Sequence, residues 1–287
     1  MSTLRLQHDE NRSVAVFSDD QLLFRYHYVP DTELKEAPRP YLHPVKTLRG
    51  DTLTVFRPND HPWHHALSMT LNQVSGSNFW GGPTCTRESG YQWQENHGRQ
   101  NHMAWTRLEA GEGCATLAHR LEWVRGGRVL FREERVLEIA VDAPTGSWSL
   151  RWRSQLRNVS GESLSLGNPH SQGGLAGSHY SGLQFRGVRE LLDDHLDPTI
   201  KIVAEGGLEG VKAVHGVPTR WMEWHGQFDE SLRRVVVRFE NPSGPLPWFV
   251  RRNYPLAAFP VEFDRNREVP VDGSLELEHA LTFTCVP

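Results

Sequence analysis

Apolar and polar residues alternate with a period of two through much of this chain, and sustained 3.6-residue spacing is almost absent. The clearest stretch, ATLAHRLEWVRGGRVLFREERVLEIAV, alternates on both sides of Gly126 and Gly127, which tolerate positive φ, so a hairpin is predicted there. The following SWSLRWRSQLRNVSG places Trp148, Leu150, Trp152, Ser154 and Leu156 on one face. Arg151, Arg153, Gln155 and Arg157 fall on the other, as in a strand of a sheet with one covered face. Further strands are predicted at DTLTVFRP, LRRVVVRFENP and SLELEHALTFT, each bounded by turn residues. Only RELLDDHLDP reads as a short helical turn, ended by Pro198. Many strands between turns, without a βαβ rhythm, a fixed-period repeat or a linker, predict an all-β fold with very little helix. The expected form is one antiparallel sandwich or barrel spanning residues 1–287.

Composition narrows the function classes. A net charge of −4, with Lys and Arg scattered among acids, offers no footprint for nucleic acid. No apolar run approaches the roughly 18 residues of a membrane span, and MSTLRLQHDENRS does not have the form of a secretory signal, so a cytoplasmic protein is expected. Cys85, Cys114 and Cys285 are far apart and form neither a disulfide framework nor a thiolate zinc pattern. HSQGGLAGSHYSG has glycines but neither the preceding strand nor the GK[ST] ending of a phosphate loop.

Candidate chemistry gathers in a few stretches rich in histidine, arginine and aromatics. DHPWHHALSMTLNQVSGSNFW sets His61, His64 and His65 within five positions, with His43 upstream. Adjacent side chains of an extended chain face opposite ways, so at most two of the three share a site. Neutral imidazoles suit a divalent metal, here with His61, His64 and His43 as ligands, or equally a hydrogen-bonded cluster. NPHSQGGLAGSHYSGLQFRG supplies His170, His179, Tyr180 and Arg186, whose guanidinium can hold an oxyanion with two parallel hydrogen bonds. PLPWFVRRNYPLAAF combines Trp248, Arg251, Arg252 and Tyr254, a mixture that stacks on a sugar ring and bonds its hydroxyls. Among Glu122, Glu133 and Glu134, Glu122 is taken as the candidate general base.

The order of these motifs is similar to that of a bacterial family of unassigned function often labelled "methane oxygenase PmoA". RPYLHPVKTLRG is followed by DHPWHHALSMTLNQVSGSNFWGG, HYSGLQFR, PLPWFVRRNYPLAAFP and VDGSLELEHALTFT, a resemblance running from about residue 39 to the C-terminus. The label sits badly with a chain lacking membrane spans. The resemblance implies a galactose-mutarotase-like sandwich and a small-molecule carbohydrate substrate. It maps a Tyr-x-His-Pro element onto Tyr41, His43 and Pro44, and an Asp-His-x-x-His element onto Asp60, His61 and His64. An Asn-Phe-Trp element falls on Asn78, Phe79 and Trp80, and a His-Tyr-x-Gly element with its later Arg on His179, Tyr180, Gly182 and Arg186. His65 stands where relatives often carry Arg.

The resulting expectation is an enzyme on a sugar or oxidised sugar derivative, of epimerase, lyase or hydrolase type, with one shared pocket. His61, His64, His179 and Glu122 would do the proton transfer. His43, Asn78, Trp80, Tyr180, Arg186, Trp248 and Arg252 would bind substrate, and a divalent metal is one option. The alternatives are a non-catalytic sugar-binding sandwich and a mononuclear metal oxygenase, the latter needing two His and one carboxylate on one metal.

Overall fold

The computed structural model describes residues 2–192, 195 and 199–286. Two large antiparallel sheets organise the chain. The first runs in the spatial order Leu4–Asp9, Ser13–Ser18, Gln21–His27, Tyr41–Val45, Leu67–Thr70, Gly182–Arg186, Leu256–Phe259 and Phe249–Val250. The second runs Leu208–Glu209, Lys201–Ala204, Trp221–Gln227, Arg234–Glu240, Ser274–Val286, Ser147–Asn158, Arg128–Asp142, Cys114–Arg125 and Arg99–Ala110. Inward-facing side chains of both sheets form one apolar cluster: Phe24 stacks on Trp148 and Phe185 packs edge-on against Phe239. The sandwich is as expected.

The hairpin turns at Gly126 and Gly127, both at positive φ, and the strand Ser147–Asn158 buries Trp148, Trp152 and Leu156 while exposing its arginines. On that outer face the arginines meet acids of neighbouring strands, Arg153 with Glu138 and Arg151 with Glu278. Pairs of this kind contribute about 0.2–1 kcal/mol each, so the inner face carries most of the stabilisation.

DTLTVFRP departs from the strand expectation. Thr52, Thr54 and Phe56 make single bridges to Lys46, Gly187 and His65, one bond to each of three partners. The Thr54 hydroxyl supplies what a ladder would, accepting from Val45 N and meeting His43 Nδ1 at 3.1 Å. RELLDDHLDP contains a 3-10 turn at Arg189–Leu191, and Asp193, Asp194, Leu196, Asp197 and Pro198 lie outside the described residues.

The centre of the first sheet is covered on both faces. In Gly182–Arg186 every residue is buried: Leu183 and Phe185 turn to the core, and Gly182, Gln184 and Arg186 turn outward beneath loops. Gly182, at φ +79°, lies so close to the next strand that a Cβ there would fall 1.7 Å from the Phe259 carbonyl oxygen. Over this outer face Trp80, Tyr180, Phe249, Tyr254, Leu256 and Ala258 form a second apolar cluster. Arg39, fully buried, donates to the carbonyls of Glu36, Ala37, Trp80 and Trp63 and to Ser68 Oγ, tying three loops together.

Candidate functional site

The outer face of the first sheet brings five of the predicted residues together: His61, His64, Trp80, Tyr180 and Arg186. Short bonds from His61 N to Pro58 O and from His64 N to His61 O wind residues 58–64 into consecutive turns, which stacks the two imidazoles with centroids 4.7 Å apart. His65, one residue on, points away and meets Glu36 Oε2 at 3.2 Å. Burial and nearby Arg39 push it down to about 3, outweighing Glu36. Of the three neighbouring histidines, two share a site, as the alternation of side chains requires.

Partly exposed charges lie beside buried polar groups here. Asp60 Oδ2 lies 3.2 Å from His61 Nδ1, and Asp60 also accepts from Arg189 at 2.8 Å. Burial lowers the His61 pKa although Asp60 pulls it upward. His64 is fully buried, its Nδ1 without a partner, and burial with Arg186, His61 and Arg39 around it holds it neutral. The Arg186 guanidinium sits 4.1 Å over the Tyr254 ring with Nε and Nη1 unpartnered. Burial pushes its pKa down to about 10. On the same face, Gln184 is buried with both amide atoms unpartnered. Buried polar atoms are nearly always paired, so this concentration of unpaired donors and acceptors makes the face the candidate site.

Aromatic rings pack around this group. Tyr180 and Tyr254 share a hydrogen bond between hydroxyls, and Arg251 donates to the Tyr180 hydroxyl through Nε at 2.9 Å and Nη2 at 2.7 Å. Trp63 packs edge-on to Trp93, which is 58% exposed at the rim beside Tyr91.

Other predicted residues lie elsewhere. His179, in the loop before Gly182–Arg186, stacks on Phe263 at 3.6 Å and neighbours His170 and His215, with Phe249 between this group and Tyr180. His43 packs near Phe56 and meets Thr54 Oγ1, and burial with His27 pushes it down to about 4. It therefore does not join His61 and His64, because Phe56 and the Glu36–His65 pair occupy that side of the strand. Glu122 accepts from Arg132 at 3.1 Å in a groove of 640 Å³ on the outer face of the second sheet, across the sandwich from the histidines. Trp248 is a core residue, fully buried with its indole N–H donated to Thr219 Oγ1. Asn78 spends its amide on the turn beneath Trp80, accepting from Trp80 N and Gly81 N and donating to Gly82 O and Thr84 Oγ1. It positions Trp80, with no donor left for substrate. Arg252 is exposed beside Lys212 and Glu209, while Arg251 takes the place in the site assigned to it.

Among the described residues, the one group of three metal-capable donors within 4.8 Å is His170, His179 and Asp264, so the set His61, His64 and His43 is not assembled. The group fits hydrogen bonding better than a cation. Gly177 N donates to His170 Nδ1 at 3.1 Å, which leaves the proton of the neutral ring on Nε2, the atom 3.5 Å from Asp264. A metal needs that nitrogen's lone pair.

Behind this group, Glu262 is buried with Ser181 Oγ donating to Oε2, and burial pushes its pKa up to about 8. An unfolded glutamate ionises near 4.5 while the folded one stays protonated, so Glu262 costs stability as pH rises from about 4.5 to about 8 and no more beyond that. Glu262→Gln is expected to flatten the fall in chemical-denaturation stability across this window, and an unchanged slope would refute the assignment.

A family model described as "Family of unknown function (DUF6807)" matches residues 13–284. The chain belongs to this family. The DUF6807 match takes in the early strands Ser13–Ser18 and Gln21–His27, which lie before the motifs legible in the sequence. The description assigns no activity, and so carries nothing of the methane oxygenase label. The chain is similar to the structure of a galactose mutarotase related enzyme from Lactobacillus acidophilus, 8% identical over 99% of this chain and 97% of that one, with a TM-score of 0.33. No curated protein matches it.

Proposed function

We propose that this chain is an enzyme that moves a proton on a sugar or oxidised sugar derivative, at the carbon next to a carbonyl or carboxyl group. The observation that carries this reading is the juxtaposition of His61, backed by Asp60, with buried, neutral His64 and the unpartnered nitrogens of Arg186. Asp60, 3.2 Å from His61 Nδ1 though not in hydrogen-bond geometry with it, favours by its charge a proton on that nitrogen, which leaves Nε2 with its lone pair, the form a general base needs. Trp63 and exposed Trp93 offer ring faces on which a sugar stacks, above the buried Trp80, Tyr180 and Tyr254.

In the proposed step His61 Nε2 takes the C–H proton and the electron pair moves onto the carbonyl or carboxyl oxygen. Arg186 and His64 donate to that oxygen as its charge grows; a neutral imidazole does so without an ionic penalty. Return of a proton to the other face gives epimerisation. Departure of the neighbouring oxygen substituent, with its electron pair and a proton, gives elimination.

Incubation with uronates, keto-sugars and aldoses in D2O tests this by NMR. Deuterium is expected at the carbon next to the carbonyl or carboxyl group of the true substrate class. A sugar that binds without any exchange or turnover would replace the reading with non-catalytic binding.

A further inference from the structure

The charge balance around the site identifies the kind of sugar. Arg39 and Arg186 are buried and Arg251 is half-buried. The acids that face them are Glu36, already engaged by Arg57 and His65, and Asp60, already engaged by Arg189 and His61. Arg39 donates only to backbone carbonyls and Ser68, and Arg251 to the hydroxyls of Tyr180 and Ser178. Three guanidinium groups thus meet at one covered face with no carboxylate of their own. An uncompensated buried charge is among the most costly arrangements a fold can hold, and a ligand that neutralises it gains correspondingly.

Arg186 is the group left to make that contact. Its Nε and Nη1 have no partner, one nitrogen on each edge of the fork, and the Tyr254 ring fixes the plane. We propose that the substrate is a sugar acid whose carboxylate is held by Arg186 with the ring stacked among the tryptophans and tyrosines; this rests on the carbohydrate reading of the site. A planar carboxylate matches the planar fork. A phosphate can also meet an arginine fork, so the test below sets a sugar phosphate against a sugar acid.

The test is ligand binding, measured by titration calorimetry and by the ligand-induced shift in melting temperature, and so is independent of turnover. The probes are glucuronate, galacturonate, glucose, galactose, glucose 6-phosphate and acetate, with wild type, Arg186→Gln and Arg186→Lys. A uronate is expected to bind best and to lose about thirty-fold or more in affinity in Arg186→Gln, the effect of removing one partner of a buried charge pair. Arg186→Lys should fall between, keeping charge but not the fork. Both variants should melt no lower than wild type without ligand, since the change removes or reshapes an unpaired buried cation. Equal binding of neutral hexoses, or uronate binding unaffected in both variants, would overturn the proposal while leaving the proton-transfer reading intact. Preference for glucose 6-phosphate would overturn the carboxylate, and acetate binding as tightly as uronate would overturn the sugar. Uronate binding without deuterium exchange would instead sink the catalytic reading alone.

Discussion

His61→Gln is expected to lower turnover by about 10²- to 10⁴-fold, the usual loss when a positioned general base is removed, with the fold and substrate affinity nearly unchanged. Glutamine keeps the volume and a hydrogen-bonding head but has no basic nitrogen. The pH profile separates this from a packing effect. His61 must be neutral to act, and its pKa lies below the ordinary imidazole value because burial outweighs Asp60. Turnover should therefore be flat above about pH 6.5 and fall only on the more acid side. Asp60→Asn removes the one nearby group that raises that pKa, so its acid limb should move to still lower pH while turnover drops. An Asp60→Asn profile that shifted upward, or His61→Gln at wild-type turnover, would remove His61 from the role.

Glu133→Ala should destabilise the protein by about 3–5 kcal/mol, the loss seen when one partner of a buried ion pair is deleted. Glu133 and Arg135 are both fully buried between the sheets, joined through Nε at 2.8 Å and Nη2 at 2.8 Å. Glu133 also accepts from Trp123 Nε1 at 2.7 Å and Ser154 Oγ at 2.6 Å. Arg135 continues the network to the Tyr26 hydroxyl and Gln100. Removing the carboxylate strands one cation and two donors in an apolar interior, so the unfolding midpoint in denaturant should drop sharply. Glu133→Gln should recover part of the loss by keeping an acceptor. A change below about 1 kcal/mol in Glu133→Ala would overturn this account of the pair.

The sandwich was legible because strands such as Ser147–Asn158 carry their burial in a period of two that the alternation of Trp and Arg displays. The same rule correctly divided His64 from His65. It could not say which of Arg251 and Arg252 turns inward, because residues 251–255 form no strand and loop geometry sets the direction. For the same reason His179 and Tyr180 were placed together although they face opposite sides of Phe249. Trp248 and Asn78 looked like ligand-binding types, yet their polar atoms are consumed by Thr219 and by the Trp80 turn, pairings between residues brought together only by folding. Arg39 and Gln184 carried no signal at all: an arginine before a proline and a glutamine in GLQFR read as ordinary surface residues until both faces of the sheet were seen to be covered.

The five bonds of Arg39 also bear on what binding costs. With Nε, Nη1 and Nη2 all spent on Ser68 and four backbone carbonyls, the segments carrying Glu36, Trp63 and Trp80 are fastened to one rigid plane. A shift of any one of them breaks a bond to a guanidinium that the others hold in place. Ordering a loose side chain on association costs about 0.5–1.5 kcal/mol. Segments already held by a common fastener forgo most of that loss, so binding here should need little rearrangement, and its rate should be set by access past exposed Trp93 and Tyr91 rather than by ordering of the site.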